Sequence, residues 1–61
     1  MKRRDLVRHL EANGCEFIRE GKEHTLYISR ETRRSTAVPR HREIPVGTVR
    51  AICRALGIPL P

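Results

Sequence analysis

Apolar positions in this chain fall into two helical stretches with an alternating stretch between them. Near the start, Leu6, Val7 and Leu10 share one side of a helical wheel, and Arg4, Arg8 and Glu11 lie on another. The spacing predicts a helix from about Arg3 to Asn13. Asn13-Gly14 stops it, because glycine accepts the left-handed conformation after a helix at little cost. No good N-cap residue precedes this helix, which leaves its first turn free to fray. Toward the end, Val49, Ile52, Cys53 and Leu56 follow the i, i+3, i+4, i+7 pattern of a second helix. Gly57 ends it and Pro59 reinforces the stop, whereas Pro45, Gly47 and Thr48 compete as start signals.

The middle of the chain reads as three strands. Cys15–Glu20 is the first, Gly21-Lys22 turns, and His24–Ser29 is the second, rich in β-branched and aromatic residues. Arg30–Arg34 is a charged hairpin connection. The third strand, Ser35–Val38, stops before Pro39, which has no N–H for a ladder bond. The order is α-β-β-β-α over residues 1–61, a single domain. The expected architecture is an α+β two-layer sandwich, a three-stranded antiparallel sheet with both helices on one face. This arrangement is similar to the double-stranded-RNA-binding domain, a likeness that does not establish function by itself.

On the second strand the alternation gives two candidate faces. His24, Leu26 and Ile28 share one, and Thr25, Tyr27 and Ser29 share the other. Apolar content alone buries Leu26 and Ile28, and takes His24 inward with them.

With 61 residues the core is small, and a deep cofactor pocket is excluded. An active site is expected on an open face or in a shallow groove, with no cofactor. Thirteen Lys and Arg against seven Asp and Glu leave a net charge of +6, and eleven of the cations are arginine. The guanidinium fork suits phosphate, so nucleic acid is the natural partner. A membrane surface would call for a basic amphipathic helix or a lipid anchor, and neither stands out. No long apolar run follows Met1-Lys2-Arg3-Arg4-Asp5, so no signal peptide is expected and the reading is cytoplasmic. Cys15 and Cys53 have no CxxC spacing and the histidines no zinc-finger spacing; both cysteines read as buried, reduced residues, with no metal site. Phe17 and Tyr27 are the only aromatics, too few for a protein that stacks single-stranded bases. No P-loop, GxSxG, HExxH or dinucleotide fingerprint is present, and no helix-turn-helix is evident.

Several segments together resemble the HicA (YcfA-like) toxins along nearly the whole chain. The carrying residues are the opening helix ending at Gly14, His24 at the start of the second strand, Val38-Pro39-Arg40-His41, and Gly47-Thr48-Val49-Arg50-Ala51-Ile52 continuing to Leu56-Gly57-Ile58. Members often carry Gly-Ser shortly before the histidine, whereas Gly21 is followed here by Lys22-Glu23. The resemblance implies a double-stranded-RNA-binding-like fold and metal-independent cleavage of mRNA. It also implies silencing by a HicB-type antitoxin, and it assigns the catalytic histidine to His24. It favours burial of the Thr25/Tyr27 face, which leaves Leu26 and Ile28 partly exposed as a partner surface.

Read by spacing alone, His24 is an ordinary surface histidine bonded to Glu23 or to backbone, since one histidine is no constellation. As a catalyst it would be the base for the RNA 2′-hydroxyl, with Lys22 and Arg19 as nearby cations. His41 is a phosphate contact, the acid for the leaving oxygen, or a solvated loop residue. Arg33, Arg34, Arg40 and Arg42 flank the third strand and form either an RNA phosphate track or a solvated charged hairpin and loop. Arg50 and Arg54 share the polar face of the second helix, where an acidic antitoxin could meet them. Two readings follow: a ribonuclease toxin held by an antitoxin, or a non-catalytic RNA-binding module of the same fold.

Overall fold

A computed structural model describes all residues, 1–61. The first helix, α1, spans Arg3–Ala12 and buries Leu6 and Leu10, with Val7 packed beside them. Asn13 caps it through a bond from its side-chain amide to the His9 carbonyl at 2.9 Å, and Gly14 follows at φ 78°. Lys2 gives the helix no side-chain cap, yet the first turn is not loose. Ile44 N–H donates to Met1 O at 2.7 Å and Arg3 N–H donates to Arg42 O at 2.8 Å. This backbone bridge satisfies one of the donors that a helix start leaves open, and it ties α1 to the segment before the last helix.

The sheet is antiparallel in the order β1 (Cys15–Glu20), β2 (His24–Ser29), β3 (Ser35–Pro39). Pro39 is inside β3, one residue further than expected, and pairs with His24. On an edge strand the missing N–H faces outward and costs no ladder bond. Its carbonyl accepts the Arg3 Nε–H at 2.9 Å.

On β2, Thr25, Tyr27 and Ser29 are buried, Leu26 and Ile28 are half-buried, and His24 is exposed. Two small polar residues thus face the core in place of two aliphatic ones. Each is satisfied there: Thr25 Oγ1 donates to Glu20 at 2.9 Å and accepts from Arg3 at 2.9 Å, and Ser29 Oγ accepts the Thr32 N–H at 3.2 Å. Hydrogen-bonded hydroxyls carry little burial penalty. Tyr27 fills the space between them and meets Phe17 edge-on at 6.4 Å between ring centroids.

The second helix, α2, spans Val46–Leu56 and buries Val49, Ile52, Cys53 and Leu56, as the periodicity predicts. Gly57 closes it at φ 73°, with its N–H donating to Arg54 O and the Ile58 N–H donating to Cys53 O. Both helices pack on the Thr25/Tyr27 face, around one core of ten apolar residues. Ile44, in the loop before α2, belongs to that core, although no periodic pattern marks it. Cys15 and Cys53 are free and buried, and burial raises both thiol pKa values; Cys53 adds to the effect on Cys15. After α2 the chain folds back to α1: the His9 Nε2–H donates to Pro59 O at 2.7 Å, and Nδ1 accepts from the Asn13 amide at 3.4 Å. One neutral tautomer serves both bonds. No helix is long and apolar enough to cross a membrane.

Candidate nucleic-acid interface

Opposite the helices the sheet is uncovered, and a shallow groove of about 350 Å³ lies at its β1–β2 end. Arg19, Gly21, Lys22, Glu23, His24, Leu26 and Ala37 line it. His24, Leu26 and Ala37 reach it by ordinary alternation, because Leu26 and Ala37 are cross-strand partners and His24 is two residues from Leu26. The small Ala37 side chain keeps the floor low.

Arg19 arrives by a different route. Glu16 pairs with Ile28 and Phe17 with Tyr27, but Arg19 pairs with Leu26, so Ile18 is an extra residue in β1. Strict alternation from Glu16 would put Arg19 on the helix-packed face. The bulge reverses this and delivers its guanidinium to the groove. The same shift places Glu20 opposite Thr25, where its carboxylate accepts the threonine hydroxyl.

The turn that presents His24 is held from behind by Arg40. Its Nη1 donates to Gly21 O and His24 O at 2.9 Å each and to the Glu20 carboxylate at 2.7 Å, and its Nη2 donates to Lys22 O. The Gly21 N–H also donates to His24 O at 2.7 Å. A Cβ on Gly21 would stand 3.1 Å from that carbonyl, so a side chain there would crowd the turn. A chain of bonds runs from Arg3 through Thr25 and Glu20 to Arg40, joining the start of α1 to both sides of the turn. Backbone and buried hydroxyl are thereby fixed, while the side chains of Lys22 and His24 stay exposed.

The predicted cations do not form one track. Arg19, Lys22, Arg40 and His41 gather at the His24 end, where His41 lines a second concavity with Lys22, Glu23 and Arg40, and Arg42 lines a separate cleft with Lys2, Arg3 and Arg4. Arg33 and Arg34 sit in the β2–β3 turn at the other end of β2, about 17 Å away for a strand of five steps. There the Thr32 hydroxyl donates to Leu56 O at 2.7 Å and binds the turn to the end of α2. Arg50 and Arg54 are exposed on α2, in the layer behind the sheet. Leu26 and Ile28 lie on the open face, beside His24. Among the Lys and Arg side chains, only Arg8, Arg30 and Arg40 are ion-paired; the others have no carboxylate partner, and of these Arg3 is engaged by Pro39 O and Thr25.

Spacing did not foretell the tasks of Arg3, Thr25 and Glu20, whose partners come from other elements. The Pro39-Arg40 step was the available signal for Arg40, since a residue leaving an edge strand beside a turn can reach that turn's carbonyls.

The fold and the groove define a small basic α+β domain of net charge +6, with an exposed histidine on an open face beside Arg19 and Lys22. The family comparison is more specific. Residues 3–58 match the family model described as the HicA toxin of bacterial toxin–antitoxin systems, and the chain belongs to that family. Membership makes it the toxin side of such a pair, with an antitoxin as partner. Comparison with curated proteins and with solved structures finds no match.

Proposed function

We propose that this toxin is an endoribonuclease that cleaves mRNA with His24 as its base, works in the cytoplasm, and is held inactive by a HicB-type antitoxin. The observation that carries the reading is the exposed His24 in a groove shared with Arg19 and Lys22 and backed by the Arg40-held turn.

RNA brings its own nucleophile. His24 removes the proton of a 2′-hydroxyl, and the oxygen attacks the adjacent phosphorus. The phosphorus–5′-oxygen bond breaks, and the leaving oxygen takes a proton from water or from His41, across the Lys22-Glu23 turn. The products are a 2′,3′-cyclic phosphate and a 5′-hydroxyl end. Arg19 and Lys22 stabilise the charge that builds on the phosphoryl oxygens. This chemistry needs no metal, in keeping with the family resemblance. Arg40 is a positioning residue that acts through the turn.

The antitoxin meets the open face: Leu26 and Ile28 form an apolar centre next to His24, so one partner covers the base and blocks RNA entry together.

The test is cleavage of an mRNA fragment by purified protein in excess chelator. Wild type should give cyclic-phosphate ends, and folded His24→Ala should lose about 100-fold or more in rate. Equal cleavage by the variant would remove His24 from the chemistry. Salt-sensitive RNA binding without cleavage by wild type would favour the non-catalytic module.

A further inference from the structure

At the His24 end, three concavities follow one another around the edge of the sheet. The groove of His24 shares Lys22 and Glu23 with the concavity of Arg40 and His41. Arg42, next in the chain after His41, lines a third of about 240 Å³ together with Lys2, Arg3 and Arg4. That last cleft is lined by four cations and nothing else.

One of its four side chains is fixed and three are free. Arg3 is anchored: its Nε–H donates to Pro39 O and its Nη2 to Thr25, both at 2.9 Å, so its charge is held in place. The backbone bridge between Lys2 and Glu43 sets the two walls. Lys2, Arg4 and Arg42 are exposed and make no ion pair. The nearby carboxylates are otherwise engaged: Asp5 with Arg8 at 3.6 Å, and Glu43 with the Met1 amino group at 3.5 Å. Four like charges in one cleft repel each other, and an entering phosphate relieves that repulsion. The cleft is also joined to the groove. Pro39, whose carbonyl Arg3 holds, is the strand partner of His24, one strand spacing of about 4.8 Å away.

We propose that the Lys2–Arg3–Arg4–Arg42 cleft is a second phosphate-binding site, which grips the RNA backbone a few nucleotides from the bond held at His24. The strand would pass from the open face, over Lys22 and His41, and around the end of the sheet to the flank of α1. This rests on the reading of RNA as the substrate and adds to it the path of the strand.

The test uses a short 2′-O-methyl RNA, which cannot be cleaved, and follows binding by fluorescence anisotropy across a salt series. The proteins are wild type, Arg19→Gln/Lys22→Gln, and Lys2→Gln/Arg4→Gln/Arg42→Gln; Arg3 is spared because its bonds are structural. Each phosphate contact to a single strand contributes about 0.7 to the slope of log affinity against log salt, so the triple variant should lower that slope by about 2. Thermal unfolding checks the fold. Should the triple variant be unstable, Arg4→Gln alone is expected to lower the slope by about 0.7. Wild-type slope and affinity in folded cleft variants, with a reduced slope in Arg19→Gln/Lys22→Gln, would overturn the cleft and leave the RNA reading standing. Absence of salt-dependent binding by wild type would overturn both. Unchanged RNA binding with loss of antitoxin binding would assign the cleft to the protein partner instead, and overturn the proposal.

Discussion

The two ends of the three-stranded sheet are closed by turns that use arginine in different ways. At the β1–β2 end, Arg40 comes in from after β3 and turns its guanidinium inward to three turn carbonyls. The turn is stiffened by a side chain from outside itself, so Lys22 and His24 remain free to face solvent. At the β2–β3 end the arginines belong to the turn. Arg33 takes a positive φ of 64°, an unfavourable conformation for a residue with a Cβ, and is held there by its N–H bond to Ser29 O at 2.8 Å. The turn leans on α2: a Cβ on Gly57 would lie 3.0 Å from Thr32 Cγ2 and 3.6 Å from an Arg34 nitrogen. One end is a braced mount for exposed side chains, and the other is a joint between layers. Counting cations along the chain does not separate them, because the distinction lies in what each guanidinium touches.

The sharpest test of this contrast is catalytic. Arg19→Gln/Lys22→Gln removes the groove's cations and should cut RNA cleavage by about 100-fold, the lower range for losing charge-stabilising donors. Arg33→Gln/Arg34→Gln should leave cleavage at saturating RNA within about threefold, since those residues stand at the far end of β2 from His24. Equal losses in the two pairs would erase the difference between the ends.

Next in size is antitoxin binding. Leu26→Asp/Ile28→Asp places charges on the open face and should weaken the complex about 30-fold or more, the scale of an interface hot spot. The variant should still fold, because the core uses the other face of β2. A pull-down paired with thermal unfolding reads both, and undiminished affinity would move the interface off this face.

Stability separates the ends more gently. Arg40→Gln removes charge-assisted bonds from a partly exposed turn and should cost about 1–2 kcal/mol. Hydrogen exchange should quicken at the Gly21 amide. Gly57→Ala imposes a side chain on a positive φ and on Thr32, and should cost about 1–2 kcal/mol without quickening exchange at Gly21. A fall in Gly21 protection in both variants would mean that the two turns are coupled.

The smallest effect comes from the core that both ends share. Burial raises Cys15 and Cys53 above their ordinary value of 9.0 and Tyr27 above 10.0. The folded state therefore keeps protons that the unfolded state releases as pH rises past about 9, and stability falls from there upward. The urea midpoint should be lower at about pH 10 than at about pH 8. An unchanged midpoint would mean that these groups lose their protons as readily folded as unfolded.

Much of the fold was legible in the sequence. The helices announce themselves through Leu6/Leu10 and Val49/Ile52/Cys53/Leu56, and the ends through Gly14 and Gly57, because periodicity and left-handed stops are local properties. The open face of β2 was harder. Leu26 and Ile28 look like the core residues of that strand, and only the family resemblance pointed to Thr25 and Tyr27. The reason for that choice is non-local, since Thr25 is buried at little cost through Arg3 and Glu20, which come from other elements. His24, Lys22 and Arg19 were readable as a group by nearness in sequence. The arrival of Arg19 in the groove was not, because a bulge leaves no mark in a pattern of alternating residues. Ile44 escaped for a similar reason: a lone apolar residue between Glu43 and Pro45 has no period to betray it.

The bulge has a consequence for how β1 tolerates insertion and deletion. Ile18 is a slack link: it takes up one residue, and the pairing on either side of it runs on unchanged. With Ile18 removed, Arg19 would follow Phe17 directly into the place opposite Leu26, and Glu20 would stay opposite Thr25. The face of each side chain would survive, and the strand would lose only the local bend and twist that a bulge adds. Substitution at Ile18 likewise touches only a side chain that is already 43% exposed. The residue that breaks the alternation of this short strand is therefore the one whose loss its pairing absorbs.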